Sequence, residues 1–207
     1  MHSTHLFLFG SGPPFNKRLG TEFSQLVGRG EVAVLYLERE GSEGYLPKYW
    51  EEIDTEEVYC LALKDRYEPF ELDRIEACKG VIIGGGDTET YRDYIVDTEL
   101  GDILFNLFTD GKPIAGFSAG ALISPQICVI SPKDNKKGIP LFKNGLGLTD
   151  ELIVAAHYLE WEEEQHLKEA IQKMDVPIGL GIAEQSGVYL KNNKLTSSEG
   201  YIHIEHN

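Results

Sequence analysis

Residues 112–124 constrain the fold of this chain more than any other stretch. They join a short apolar run to a serine bounded by glycines and then to a run of small residues. Gly116, Ser118 and Gly120 form a G-x-S-x-G pattern, in which the glycines let a strand reverse sharply into a helix where side chains have no room. We therefore predict that Ser118 lies exposed at the carboxyl end of a strand, in the crevice where open α/β sheets bind ligands. The alternative is a tight turn without chemistry, because this pentapeptide also occurs by chance.

Short apolar runs alternate with segments of helical periodicity, which is the pattern of a mostly parallel sheet with helices on both faces. We predict one α/β domain spanning residues 1–207. Predicted strands lie at residues 6–9, 32–37, 58–63 and 80–83. A central strand ends directly before Ser118, and further strands are predicted at residues 127–130, 152–156 and 177–183. Predicted helices lie at residues 16–27, 45–53, 70–77, 88–94, 99–109 and 162–174. The residues after 187 predict an antiparallel set with a hairpin at Asn192 and Asn193.

The charge and cysteine content restrict the partners and the compartment. The formal net charge of -15 comes from 34 acidic and 19 basic residues, and its field disfavours nucleic acid and anionic membrane surfaces. The three cysteines show no C-x-x-C spacing, so we predict free thiols and a reducing, cytoplasmic location. No apolar run is long enough for a signal-peptide core or a membrane span, so neither export nor membrane insertion is expected.

The glycines at positions 84–86 follow the predicted strand 80–83 and precede a helix. Such a loop lets the backbone approach a ligand and directs N–H groups into the crevice, so Gly85 and Gly86 could complement the Ala119 N–H in an oxyanion site. Asp87 is predicted either to line this ligand-binding loop or to cap the following helix. A phosphate-binding loop is disfavoured, because neither G-x-x-x-x-G-K-[ST] nor G-x-G-x-x-G is present.

A nucleophilic serine needs a base within hydrogen-bond reach and an acid that orients the base. His157 follows the predicted strand 152–156 and should emerge at the same sheet edge as Ser118, although a histidine in such a position is often structural. Glu184 follows the predicted strand 177–183, and Asp134 lies in a lysine-rich loop. Either carboxylate could orient His157, and Glu184 is placed better because it too leaves a strand at the sheet edge. The other histidines lie near the termini or in an acidic helix; they are His2, His5, His166, His203 and His206.

These elements together resemble peptidase family S51, which comprises dipeptidase E, the aspartyl dipeptidases and the cyanophycinases. The matching segments, in order, are Gly-Gly-Gly-Asp-Thr from position 84, Gly-Phe-Ser-Ala-Gly-Ala from 116, Gly-Leu-Gly-Leu from 145, Ala-His-Tyr from 156 and Gly-Leu-Gly-Ile-Ala-Glu from 179. The resemblance implies the class I glutamine amidotransferase-like, flavodoxin-like fold, with serine where the amidotransferases carry cysteine. It also implies a nucleophile, a base, an orienting acid and an oxyanion region, which are Ser118, His157, Glu184 or Asp134, and Gly85, Gly86 and Ala119.

We therefore predict hydrolysis of a peptide or amide bond in a small peptide through an acyl-enzyme, with no metal or cofactor. The sequence is compatible with a homodimer. The alternative from another class is a non-catalytic protein of the same fold that binds a small ligand. A lipase-like α/β-hydrolase would share the serine elbow but not the triple-glycine loop.

The segment after His157 bears on substrate choice. Dipeptidase E has arginines there, which suit an acidic substrate side chain, whereas this chain has Glu160 and residues 162–164, all glutamate. We predict that aspartyl dipeptides are not strongly preferred and that neutral or basic substrates are hydrolysed at least as well. The alternative is that Arg18 or Arg92 reaches the pocket.

Overall fold

The computed structural model describes residues 2–207 and contains a seven-stranded sheet in the order β11-β10-β1-β5-β4-β2-β3. The pairings from β1 through β5, β4 and β2 to β3 are parallel, whereas β10 and β11 are antiparallel. The strands are β1 His5–Phe9, β2 Val32–Tyr36, β3 Val58–Ala62, β4 Gly80–Ile83, β5 Ile114–Phe117, β6 Ile127–Ile130, β7 Leu141–Asn144, β8 Leu152–Ala155, β9 Ile178–Ile182, β10 Gly187–Lys191, β11 Lys194–Glu199 and β12 Ile202–His206.

Helices cover both faces of this sheet, as the alternating pattern predicts. They are α1 Lys17–Val27, α2 Ser42–Tyr45, α3 Pro69–Ala77, α4 Thr88–Ile95, α5 Glu99–Thr109, α6 Ala119–Ile123 and α7 Glu164–Met174. On one face, α1 buries Leu19 and Phe23 against an aromatic cluster that includes Phe7 and Phe117. On the other face, α3 to α6 form a larger aliphatic core. The three-layer α/β architecture is confirmed. Within residues 2–207, no helix has the length and hydropathy needed to span a bilayer.

A second sheet, in the order β12-β9-β8, packs beside the main one. Strands β8 and β9 are parallel, and α7 connects them. The sheets meet at the carboxyl ends of their strands: the N–H of His157, after β8, donates to the carbonyl of Gly10, after β1, at 2.8 Å. The Ser118 N–H donates to the carbonyl of Phe9 at 3.0 Å. The segment after β1 thus fixes where the second sheet sits relative to Ser118.

Some local predictions are wrong. The predicted helix 45–53 is the short α2 followed by a 3₁₀ turn, Leu46–Tyr49, because Pro47 removes a backbone donor. The last strand, β12, does not join the β10–β11 hairpin but pairs with β9, since Gly200 has a φ of 77° and turns the chain away. The pairing of β6 with β7 was not predicted. The hairpin itself is confirmed, because Asn192 and Asn193 adopt φ values of 51° and 60°.

Candidate active site

Ser118 lies at a sharp turn between β5 and α6. Its φ of 48° and ψ of -105° place it in a conformation that non-glycine residues rarely adopt. The flanking glycines allow this turn: a Cβ at Gly116 would lie 2.4 Å from the carbonyl oxygen of Gly120, and one at Gly120 would lie 2.4 Å from that of Ile83. The G-x-S-x-G spacing is therefore a steric requirement of the turn, and it leaves the serine side chain at the sheet edge.

His157 is the second residue after β8, follows the buried Ala156 and approaches Ser118 from the second sheet. Its Nε2 atom lies 3.1 Å from Ser118 Oγ, so the serine hydroxyl can donate to the ring. The imidazole stacks on the indole of Trp161 with ring centroids 4.4 Å apart and an interplanar angle of 21°. Its side chain is only 16% exposed, so packing restricts its orientation.

Glu184 completes a hydrogen-bonded chain of three side chains. Its Oε1 atom lies 2.8 Å from His157 Nδ1, so Nδ1–H donates to the carboxylate and Nε2 keeps its lone pair for Ser118. Glu184 follows β9, the parallel neighbour of β8, and therefore leaves the second sheet at the same edge as His157. The backbone N–H of Glu184 donates a hydrogen bond to the carboxylate of Glu160 at 3.1 Å. The side chain of Glu184 is 46% exposed.

Asp134 does not hydrogen-bond to His157. Its Oδ2 atom accepts a hydrogen bond from Thr88 Oγ1 at 2.6 Å, at the start of α4. Burial raises the pKa of Asp134, the Thr88 hydrogen bond opposes that shift, and the neighbouring carboxylate of Asp87 adds to it. The inclusion of Asp134 among the catalytic residues is corrected, because Glu184 occupies the position beside Nδ1.

The triple-glycine loop packs directly against the serine turn. The Gly120 N–H donates to the carbonyl of Gly84 at 3.1 Å, and a Cβ at Gly85 would lie 3.2 Å from that of Ser118. The Gly85 N–H is not free, because it donates to the hydroxyl oxygen of Tyr49 at 2.9 Å. The prediction of an oxyanion donor is therefore corrected for Gly85.

The N–H groups of Gly86 and Ala119 have no acceptor among residues 2–207. Ala119 is the first residue of α6, where helix geometry leaves backbone donors unpaired. Asp87 is the N-cap of α4, and its Oδ1 accepts from the Thr90 N–H at 2.8 Å. Of the predicted oxyanion and substrate-binding residues, Gly86 and Ala119 thus offer free donors, whereas Asp87 has a capping role.

A cleft of about 800 Å³ opens beside His157 and Glu184. It is bounded by the segment after β1, by Tyr45 and by three further charged side chains, which are Lys17, Glu52 and Glu199. Neither candidate arginine lines it. Arg92 forms a bidentate ion pair with Asp97 at 2.6 and 3.0 Å, and Arg18 donates to the carbonyl of Ser198 at 2.7 Å.

Sequence reasoning did not find the contacts of Tyr49 and Trp161. Trp161 lies four residues beyond His157, and the Trp161 N–H donates to the His157 carbonyl at 2.8 Å, so a tight turn after the histidine could have suggested the stacking. Tyr49 lies 36 positions from Gly85, and no local pattern connects them. No cluster of three or more histidine, cysteine, aspartate or glutamate side chains suited to a metal ion occurs in the described part of the chain.

Comparisons with known proteins bear on the family and the fold of this chain. The model of Peptidase family S51 matches residues 48–198, which is more than half of the chain. Two curated relatives named cyanophycinase, from Trichormus variabilis and a Nostoc species, are 28% identical over 147 residues; the match covers 67% of this chain and 49% of theirs. The chain therefore spans about half the length of these curated relatives.

Two solved structures cover nearly the whole chain. A peptidase from an acI-B1 Actinobacterium has a TM-score of 0.71 at 17% identity and covers 100% of this chain and 89% of its own. A candidate peptidase E from Listeria monocytogenes has a TM-score of 0.68 at 18% identity, with 99% of each chain covered. At these identities the likeness shows a shared fold. Together with the family match over the glycine loop, the serine turn and the histidine and glutamate strand ends, it establishes that this chain belongs to peptidase family S51.

Proposed function

We propose that the protein is a serine peptidase that hydrolyses short peptides through an acyl-enzyme. The observation that carries this proposal is the hydrogen-bonded chain from Ser118 through His157 to Glu184, with distances of 3.1 and 2.8 Å. This order of nucleophile, base and orienting acid is the arrangement that activates a serine in unrelated hydrolases. A binding protein would have no need for this chain or for the unfavourable backbone conformation of Ser118.

In the proposed reaction, Ser118 Oγ attacks the carbonyl carbon of the peptide bond while His157 Nε2 accepts the hydroxyl proton. Glu184 stabilises the resulting imidazolium through Nδ1–H. When the tetrahedral intermediate collapses, the C–N bond breaks and Nε2 returns the proton to the leaving amine. Water then attacks the ester carbonyl by the same path, which releases the acid and restores Ser118.

The free N–H groups of Gly86 and Ala119 are the proposed donors to the oxyanion. They lie on the two loops that meet at Ser118, and Ala119 adds the positive end of α6. Donors of this kind act on charge that appears only in the transition state, and the loss of one typically reduces kcat by about 10² to 10³.

The cleft supports substrates without an acidic side chain. A pocket for aspartate needs a cation that can compensate for desolvation of the carboxylate. Among residues 2–207, Lys17 is the one cationic side chain that lines the cleft, against the carboxylates of Glu52, Glu184 and Glu199. Arg92 is already paired with Asp97, and the net charge of -15 repels acidic ligands on approach. We therefore propose that neutral and basic short peptides are cleaved at least as well as aspartyl peptides.

The experiment that tests the catalytic proposal uses Ser118→Ala and a fluorophosphonate probe. We expect the wild type to be labelled covalently and to cleave a dipeptide panel, and we expect the variant to lose both properties, with kcat reduced by several orders of magnitude. The variant should keep its melting temperature, because Ser118 fills no core volume. Cleavage at the wild-type rate by the variant would refute the proposal, and binding of dipeptides without labelling or cleavage would favour a binding protein.

Substrate choice is tested by kcat/KM for Asp-Leu, Ala-Leu and Lys-Leu at low and moderate salt. We expect Lys-Leu and Ala-Leu to match or exceed Asp-Leu, with the advantage of Lys-Leu decreasing as salt screens the cleft. A preference for Asp-Leu above about 100-fold, which is about 2.7 kcal/mol of transition-state discrimination, would refute the charge argument.

A further inference from the structure

Tyr49 is a buried tyrosine that contacts both the glycine loop and the strand that leads into the serine turn. It ends the 3₁₀ turn Leu46–Tyr49, is 1% exposed, and places its hydroxyl oxygen 2.9 Å from the backbone nitrogen of Gly85. Its ring packs edge-on against Phe117, the residue before Ser118, with centroids 5.3 Å apart. One side chain outside the triad therefore joins the glycine loop to the strand that carries the nucleophile.

The Gly85 peptide is held from both sides. The hydroxyl oxygen of Tyr49 accepts a hydrogen bond from the Gly85 N–H, and the hydroxyl of Tyr91 donates one to the Gly85 carbonyl at 3.3 Å. Both tyrosine hydroxyls also crowd Gly84, since each lies 2.7 Å from the position of a Cβ there. Three consecutive glycines have more conformational freedom than any other tripeptide, so a loop of this composition needs external contacts to keep one conformation.

The hydrogen bond to Tyr49 decides which N–H of the loop is available. Because the Gly85 N–H donates to Tyr49, the next donor in the loop, that of Gly86, is the one left without an acceptor among residues 2–207. Burial raises the pKa of Tyr49 far above its ordinary value, so the phenol stays neutral at neutral pH.

We propose that Tyr49 is a positioning residue that fixes the Gly85 peptide and thereby aims the Gly86 N–H at the oxyanion. This inference rests on the proposed peptidase function. Tyr49 does not touch the reacting atoms, and it acts through the backbone of the glycine loop. Its removal should weaken stabilisation of the transition state while leaving ground-state binding of the peptide in place.

The test compares Tyr49→Phe with Tyr67→Phe in the full-length protein. Tyr49→Phe deletes the acceptor and keeps the ring that packs on Phe117. Tyr67→Phe is the matched control, because the Tyr67 hydroxyl donates to the Tyr94 carbonyl at 2.8 Å and belongs to neither the triad nor the glycine loop. For each protein, kcat and KM are measured on the best dipeptide of the panel, and amide hydrogen exchange of Gly85 is followed by NMR.

We expect Tyr49→Phe to lower kcat by about 10- to 100-fold, somewhat less than the loss of a direct oxyanion donor, with KM changed by less than about threefold. Its Gly85 amide should exchange faster, whereas Tyr67→Phe should leave both kcat and this amide unchanged. A second variant, Tyr91→Phe, should show a smaller loss in kcat because its hydrogen bond to Gly85 is longer.

Other outcomes overturn the inference. A kcat within twofold of wild type in Tyr49→Phe, or an equal loss in Tyr67→Phe, would show that Tyr49 has only a packing role. A rise in KM with unchanged kcat would place Tyr49 in substrate binding instead. If the wild type hydrolyses no peptide at all, the proposed function fails together with this inference, whereas an active wild type with an unaffected Tyr49→Phe variant refutes the inference alone.

Discussion

The negative charge of Glu184 should matter to catalysis, and Glu184→Gln removes that charge while keeping the size of the side chain. When the glutamine oxygen faces Nδ1, it still accepts the His157 Nδ1–H, and what is lost is the attraction between the carboxylate and the imidazolium that forms when Ser118 attacks. When the glutamine NH2 faces Nδ1 instead, it stabilises the opposite ring tautomer and adds a second loss. The electrostatic contribution of the acid is therefore the minimum loss expected of this variant.

The size of this contribution follows from the geometry. At the 2.8 Å separation of Nδ1 and Oε1, Coulomb attraction is about 6 kcal/mol at an effective dielectric constant of 20 and about 1.5 kcal/mol in bulk water. The Glu184 side chain is 46% exposed, which favours an intermediate value of about 3 kcal/mol. This corresponds to a loss in kcat of about 150-fold from the charge alone, below the roughly 10⁴-fold loss in a serine protease whose orienting acid is replaced by an amide that favours the wrong tautomer.

The assay is kcat at saturating dipeptide for Glu184→Gln and for the matched variant Asp134→Asn, which also replaces a carboxylate by an amide. Asp134 bonds to Thr88 instead of His157, so we expect its variant to stay within about threefold of wild type. If Asp134→Asn were crippled while Glu184→Gln stayed near normal, the orienting acid would be the loop aspartate. A Glu184→Gln loss below about tenfold would refute the electrostatic argument, whereas a loss near 10⁴-fold would show that the amide NH2 faces Nδ1 and stabilises the wrong tautomer.

Gly120→Ala should lower the free energy of unfolding by about 3 kcal/mol, because its Cβ would lie 2.4 Å from the Ile83 carbonyl oxygen. Gly44→Ala is the control, with no atom within 4 Å of its Cβ and a helical position that should make it neutral or slightly stabilising; equal urea midpoints would contradict the steric argument. Asp134→Asn should raise the melting temperature at pH 7. Burial raises the pKa of this carboxyl, so the folded state retains a proton that the unfolded chain has released and stability falls as pH rises through that window. The gain should vanish below about pH 4, where both states are protonated, and a gain independent of pH would contradict the titration argument.

Features set by neighbouring residues could be predicted from the sequence. The serine turn follows from Gly116 and Gly120, and the hairpin follows from two asparagines that tolerate a left-handed backbone. Glu184 was favoured over Asp134 because it leaves a strand end, and the structure brings it to His157 for that reason. Features set by distant residues could not be predicted: nothing local tells which sheet β12 joins, or that a tyrosine 36 positions away takes the N–H of Gly85.

The site also depends on how two separate sheets are aligned. Ser118 belongs to the main sheet, whereas His157 and Glu184 follow strands of the second, so their distances are set by packing between sheets and not by any single loop. The contact is tight, since a Cβ at Gly10 would lie 2.2 Å from the carbonyl oxygen of Ile182. The residues after Gly10 also form a wall of the cleft, and the Gln185 N–H donates to Ser11 Oγ at 3.1 Å. The segment after β1 therefore both lines the cleft and carries the hydrogen bonds that join the two sheets, so the spacing between Ser118 and His157 depends on the same residues that bound the cleft.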